Sequence, residues 1–538
     1  MTLERDQSLE RWYLSPSERG NPDTRIDARR GNGRAWTEGN LVEPLVHGAT
    51  YFARLHEAIA ALREGDRLYL TDWRGDPDER LAGPGTELAS VLAGAARRGV
   101  DVRGLVWRSH PDQSHFSEQE AFDLAREVNE AGGEILLDER VRRAGSHHQK
   151  LVLLRCPDDP ARDVAFVGGI DLCHGRNDDE AHRGDPQVYP LDERYGERPA
   201  WHDIQLAVRG PSIGDLAYTF RERWEDPTPL DHRNPLRKVL ARRAHEPDEA
   251  SPLPTMLDDP PPAGSHAVQV LRTYPAKRPA YPFARLGERS IARAYGKAME
   301  RARRLVYLED QYLWSADVAD ALARALERTP GLHLIVVVPR FPEEDGAVSG
   351  PPARLGQQLA LEHLREAGGE RVLVCDIENE IGLPIYVHAK ACVVDDVWAA
   401  VGSDNLNLRS WTHDSELSCA VLDAARDERD PRDPAGLGDG ARRFARNLRL
   451  QLWREHLGRS GDEGLVDPIE GFHLWRDAAD ELDAWHRRGG RGTRPQGRVR
   501  MHDLEPVGAP SMWWARAAYK MAVDPDGRPR ALKRQRTF

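Results

Sequence analysis

Apolar positions along the chain switch repeatedly between helical and extended periods. "YFARLHEAIAALREGDRLYLTDW" (51–73) reads as an amphipathic helix, a short break at Gly65-Asp66 and an apolar strand. "ELASVLAGAARRGVDVRGLVW" (87–107) repeats the order, with Gly99 closing the helix and Trp107 ending the strand. Continued alternation of this kind predicts an α/β fold with a largely buried sheet. "HEPDEASPLPTMLDDPPPAGSH" (245–266) interrupts it, since six prolines and five acidic residues in 22 positions suit neither helix nor strand.

Beyond that linker the earlier pattern returns. "SIARAYGKAMERARRLVYLEDQY" (290–312) repeats the first helix and strand, and "VADALARALERTPGLHLIVVVP" (318–339) the second. Trp73 lies 75 residues before His148, and Tyr312 lies 76 before His388. Each of these histidines opens a His-x-Lys segment at the mouth of an apolar run, "SHHQKLVLL" (146–154) and "YVHAKACVVDD" (386–396). A second apolar strand follows each, "VAFVGGIDL" (164–172) and "WAAVGSDNL" (398–406). The expectation is a duplicated α/β sandwich with mixed sheets, related by a pseudo-twofold axis, with one active site where the halves meet. Its parts are an irregular N-terminal arm (1–40), a first half (41–244), the linker (245–266), a second half (267–460) and a C-terminal extension (461–538).

Composition narrows the function. The 538 residues are 30% charged with a formal net charge of −12, which is not the basic signature of a nucleic-acid binder. No apolar run is long enough to span a bilayer, and the N-terminal "MTLERDQSLERWYLSPSERGNPD" lacks the apolar core of a secretory signal. Five widely spaced cysteines form no CxxC or zinc pattern, so reduced thiols and a cytoplasmic location are expected.

In extended chain, alternate residues share a face, so His148 pairs with Lys150 and His388 with Lys390. Two imidazoles and two ammonium groups around one pocket favour an anion. One imidazole can act as nucleophile and the other as general acid, while the lysines and an amide such as Asn405 stabilise the charge that develops. The lysines supply the positive charge, so neither a metal nor another cofactor is expected.

These residues resemble the phospholipase D superfamily, whose signature is His-x-Lys, four residues and Asp in each half, followed by a Gly-Ser or Gly-rich segment with Asn. "HAKACVVD" (388–395) and "GSDNLNLRSWTHDSE" (402–416) carry it in full. "GGIDLCHGRND" (168–178), "WHDIQLAVRGPSIGDLAYTFRERW" (201–224), "YLEDQYLW" (307–314) and "LRLQLWREHLG" (448–458) are similar to the eukaryotic-type branch, and the likeness covers roughly residues 45–460. It implies catalytic His148, Lys150, His388 and Lys390, with His148 as nucleophile and His388 protonating the leaving alcohol. It implies phosphate contacts from Asn405, Ser403 and Gly169. A catalytic imidazole needs a carboxylate on its second nitrogen. By position in the repeats, Asp178 and Glu416 are expected in that role, with Asp171, Asp203 and Asp395 supporting. His147 is expected to be structural or substrate-lining. The first motif departs from the signature: Arg155 stands where Asp is required, and Asp158 or Asp159 is expected to partner it.

The resemblance implies a phospholipid phosphodiesterase that yields phosphatidic acid through a phosphohistidine, with transfer to alcohols as a second outcome. Phosphatidylcholine and phosphatidylethanolamine are the substrates it suggests, and no nucleic-acid partner is expected. The alternatives are a cardiolipin synthase-like phosphatidyltransferase, a nuclease, or a non-catalytic phospholipid-binding protein created by Arg155. One chain supplies both half-sites, so a monomer is expected. The tail from Lys520 to Phe538 carries six Lys/Arg against two Asp, and "MWWARAAYKM" (512–521) leads into it, which suits peripheral membrane contact.

Overall fold

Both halves of the chain build the same sheet. The computed structural model describes residues 8–108, 118–230, 249–343, 350–504, 506–535 and 537–538. The first half contributes β1 (Thr37–Val46), β2 (Arg67–Asp72), β3 (Asp101–Trp107), β4 (Glu134–Asp138), β5 (Leu151–Arg155), β6 (Val164–Gly168), β7 (Ala200–His202) and β8 (Ile204–Arg209). The second contributes β9 (His266–Tyr274), β10 (Glu288–Arg289), β11 (Leu305–Glu309), β12 (His333–Val337), β13 (Val372–Ile377), β14 (Ile385–Val387), β15 (Ala391–Val394), β16 (Trp398–Gly402) and β17 (Glu416–Asp423); β7 and β14 stand apart, paired with each other in a two-stranded sheet. Outward from the middle, the orders are β1-β8-β6-β5-β2-β3-β4 and β9-β17-β16-β15-β11-β12-β13. The three outer strands of each run parallel and the inner ones antiparallel. β1 pairs with β9, Thr37 opposite Val268 and Asn40 opposite His266, so the two mixed sheets are continuous.

Helical faces cover this sheet where the apolar period predicts. In the first half α3 (Gly48–Ala60), α4 (Leu88–Arg97) and α5 (Glu118–Glu130) bury one cluster, including Phe52, Leu55, Leu92 and Val128. Gly99 ends the α4 turn at φ +86°, a conformation that glycine adopts without strain. On the other face α6 (Ile213–Trp224) joins a cluster shared by the halves, in which Leu153 and Val167 belong with Val393 and Val401. The second half repeats the plan with α7 (Ser290–Arg301), α8 (Ala316–Arg328) and α9 (Gly350–Gly368) outside, and α11 (Arg443–His456) on the shared side. A one-turn α10 (Leu408–Thr412) lies between β16 and β17.

The chain ends differ from the sequence reading. Residues 8–36 are no loose arm. The short α1 (Ser8–Trp12) and α2 (Pro16–Arg19) strap the second half, with Trp12 and Tyr13 fully buried among α7 and β9 residues. The Tyr13 hydroxyl donates to Ala267 O at 2.7 Å, and Arg19 reaches Glu288 at 2.8 Å. Four apolar positions, Leu9, Trp12, Tyr13 and Leu14, suffice to anchor an otherwise polar segment. The C-terminal extension is also integral: α12 (Pro468–Arg487) buries Trp475 in the shared core, and β18 (Val499–Met501) pairs with β13. Residues 245–248 of the linker lie outside the described residues, and 249–264 contain no helix or strand. The five cysteines are buried free thiols, and no helix among the described residues is long and apolar enough to cross a membrane.

Candidate active site

Each His-x-Lys segment is extended chain just ahead of a strand, β5 or β15, and each is pinned by the opposite half. His148 N donates to Ser415 O at 2.9 Å, and Ser415 N to Ser146 O at 3.1 Å. In the mirrored place β14 runs parallel to β7, and His388 N donates to His202 O at 2.8 Å. Sheet order thus equates β8 with β17, and the residues at their starts, Asp203 and Glu416, face the histidines across the seam. His388 Nδ1 lies 2.6 Å from Asp203 Oδ2, and His148 Nδ1 lies 2.9 Å from Glu416 Oε2. Each half provides the carboxylate for the other half's imidazole.

Asp178 is therefore not the partner of His148. Its carboxylate accepts from the backbone N–H groups of Asp179, Gly184 and Trp201 at 3.0, 3.1 and 2.9 Å. It fixes the loop that lays Trp201 against His388, ring centroids 5.0 Å apart. Position in the repeat misleads because 35 residues separate the end of β6 from the start of β8, whereas 13 separate β16 from β17.

The lysines take matching places. Lys150 donates to His148 O at 3.2 Å and pairs with Asp171 at 2.9 Å; Lys390 donates to His388 O and to Gln311 Oε1, the latter at 3.2 Å. Burial, and after it the lysines, push both histidines well below their usual range, Lys150 bearing most on His148 and Lys390 on His388, with each lysine also reaching the other histidine. Burial also pulls the Lys390 ammonium down to about 8 and pushes Glu416 up to about 8. It raises Asp171 too, but Lys150, Arg176 and the two histidines outweigh it and hold that carboxylate low. So dry and cation-rich a centre calls for an anionic guest.

A cavity of 550 Å³ opens onto His148 and Glu416 and is walled by Trp73, Trp107, Tyr312 and Trp314. Met521, Ala522 and Val523 of the C-terminal extension close one side. Asn405 lines it, with a buried Oδ1 that has no hydrogen-bond partner. Two other expected phosphate contacts are placed otherwise. The Ser403 hydroxyl donates to Glu416 at 2.5 Å, and Gly169 N is used by Ile204 O at 3.0 Å. Gly169 matters because a Cβ there would collide with Asp203 Oδ1. Asp395, at φ +53°, accepts from the N–H groups of Arg303, Arg304 and Leu305, each at 2.8 Å, and ties the motif to the start of β11. His147 is buried beside Arg223 and Asp138, away from the cavity. Arg155 pairs with Asp163 at 2.6 Å and with Asp258 O at 2.6 Å, not with Asp158 or Asp159.

The "Phospholipase D" family matches residues 79–319, and the family described as "Cardiolipin synthase, PLD-like domain" matches 295–427, so each His-x-Lys segment falls within a match. The chain belongs to the phospholipase D superfamily. Among curated relatives, phospholipase D alpha 2 of Arabidopsis thaliana is 27% identical over 87% of this chain and 72% of its own. Phospholipase D2 of Bos taurus is 25% identical over 82% of this chain and 56% of its own. A phosphatidylserine synthase structure from Haemophilus influenzae Rd KW20 shares the fold, with a TM-score of 0.51 at 14% identity over 75% of this chain and 87% of that one. Superfamily membership makes this protein a phosphodiesterase or phosphatidyltransferase by class.

Proposed function

We propose that this member of the phospholipase D superfamily hydrolyses the head-group phosphodiester of glycerophospholipids to phosphatidic acid, and transfers the phosphatidyl group to alcohols when they compete with water. The observation that carries this reading is the crossed pair of carboxylate-backed histidines beside two buried lysines, with His148 opening into an aromatic cavity. His148 reaches the cavity with 15% of its side chain exposed, against 4% for His388, which favours His148 as the nucleophile. Its Nε2 attacks phosphorus, the bond to the head-group oxygen breaks, and His388 gives that oxygen its proton. Water then attacks the phosphohistidine and passes a proton to His388 as the P–N bond breaks. Lys150, Lys390 and the Asn405 amide neutralise the non-bridging oxygens.

Arg155 and Asp163 form their pair at the far end of β5, which supports activity over a binding-only role. The aromatic cavity and the acidic chain favour a lipid over a nucleic acid. We propose that the protein works at the cytoplasmic membrane surface as a monomeric, peripheral enzyme, with exposed Met521 lining the cavity and exposed Trp513 eight residues before it supporting lipid contact. The test is phosphatidylcholine turnover with and without ethanol, followed by trapping of labelled phosphate as an alkali-stable, acid-labile adduct. Phosphatidic acid, phosphatidylethanol and a label on His148 that His148→Ala removes are expected. A label on His388 reverses the two roles, and no label with no phosphatidylethanol refutes the covalent route.

A further inference from the structure

Immediately behind His388 lies a buried cluster that the phosphodiester chemistry does not use. His47, just before α3, His182, in the loop between β6 and β7, His202, ending β7, and Glu455, on α11, each bring a ligand atom within 4.8 Å of the others. Glu455 Oε2 is 3.0 Å from His47 Nε2, and Oε1 is 3.0 Å from His182 Nε2 and 3.6 Å from His202 Nδ1. The three rings stand with centroids 4.8, 5.1 and 5.8 Å apart. Three imidazoles on one tetrahedral ion, bound through nitrogens at 2.0–2.1 Å, would place their centroids about 5 Å apart.

With each imidazole neutral, the cluster is short of positive charge. A neutral imidazole has a single N–H. His182 Nδ1 lies 3.2 Å from Trp201 O, and His202 Nε2 lies 2.7 Å from Glu309. Once those two N–H groups are donated, His182 Nε2 and His202 Nδ1 remain as lone pairs aimed at the Glu455 carboxylate. His202 Nδ1 is buried with no hydrogen-bond partner. Lone pairs and carboxylate oxygens converging on one point repel one another until positive charge is supplied, either as a second proton on an imidazole or as a metal ion, and the ring spacing is that of ligands around an ion. Arg498 approaches Glu455 no closer than 3.7 Å, from the rim. Glu309 completes the arrangement as an outer carboxylate on His202, receiving the Tyr307 hydroxyl at 2.5 Å and lying 2.8 Å from His456 Nε2.

We propose that His47 Nε2, His182 Nε2, His202 Nδ1 and one Glu455 oxygen bind a single divalent ion, zinc by its donor set. Three ligands come from the first half and Glu455 from the second, so the ion clamps the seam. It also fixes the chain that positions the acid: His202 O receives His388 N, and Asp203 is the next residue. The ion takes no part in phosphoryl transfer, and the inference is independent of the substrate.

Full-length protein from zinc-supplemented culture, gel-filtered and measured by inductively coupled plasma mass spectrometry, should hold about one zinc per chain. X-ray absorption of that wild-type sample should show four nitrogen or oxygen ligands at roughly 2.0–2.1 Å without sulfur. His47→Gln and Glu455→Gln should each leave less than about a tenth of an equivalent while a soluble fraction persists. Wild-type protein with less than about half an equivalent, or a full equivalent kept by both variants, overturns the site. Should the variants fail to fold, the wild-type stoichiometry and ligand shell still decide, and sulfur or six-coordination there also overturns it.

Discussion

Asp203→Asn tests the crossed pairing most directly. Asp203 Oδ2 lies 2.6 Å from His388 Nδ1, with Asp203 fully buried and His388 4% exposed. A hydrogen bond to a charged acceptor is worth about 1.5–3 kcal/mol. Losing that from the protonated form of the acid slows turnover roughly 10- to 150-fold, at about 1.4 kcal/mol per decade. If the new amide turns its NH2 toward Nδ1, the wrong tautomer is imposed, and the loss approaches the ~10⁴-fold seen for the same swap in a serine protease triad. Burial already holds the Asp203 carboxyl above its ordinary range, so a neutral amide there should cost little stability. Asp178→Asn is the control. Its oxygens meet backbone N–H groups, so about 1–3 kcal/mol of stability should go while kcat per folded molecule stays within about threefold. The assay is kcat and KM on a chromogenic phosphatidyl ester, normalised by burst titration and paired with thermal melts. An Asp203→Asn enzyme within about threefold of wild type would refute the crossed assignment. So would an Asp178→Asn enzyme that loses equal kcat with an unchanged melt.

Two further expectations concern the cations. Lys390 sits at about 8, so its charge is lost as pH rises through that value and kcat/KM should fall on the alkaline side. Lys390→Arg keeps its charge at every accessible pH, so that limb should vanish even as kcat drops about tenfold from misplacement; an unchanged limb assigns it to another group. Arg155→Ala leaves the buried Asp163 with only the Cys156 N–H, so melts should report a loss of about 3–5 kcal/mol with kcat per folded molecule unchanged. A large fall in kcat with a native melt would instead connect the end of β5 to the reaction.

How much was legible in the sequence depended on distance along the chain. Helix–strand alternation and the run-up of each His-x-Lys segment to its strand are local patterns, and they point to the α/β architecture and the placement of His148 and His388. Counting reached Glu416 but not Asp203, because the long β6–β8 connection displaces Asp203 while Asp178 falls at the expected interval and turns to backbone. Matching strand starts instead of intervals would have found Asp203. Ser403 was misread because the sequence does not reveal that Glu416 occupies its hydroxyl. The anchored N-terminal segment was missed because four apolar residues among many polar ones give no period. His47 and Glu455 are 408 residues apart, beyond any ligand-spacing motif.

The exchange of carboxylates between halves has a consequence for how the two copies can diverge. Each copy is answerable for its neighbour's chemistry: altering Asp203 injures the second motif, and altering Glu416 the first. A half expressed alone would carry a histidine with no proton-holder, so activity should return only when both pieces are mixed, as subunits of an obligate heterodimer would behave. Residues that never touch the seam are under no such mutual obligation. Arg155 occupies that free territory, held by Asp163 of its own copy and by Asp258 O of the linker, whereas its counterpart Asp395 still braces β11. Duplication here has made the halves jointly indispensable at their boundary and independent behind it.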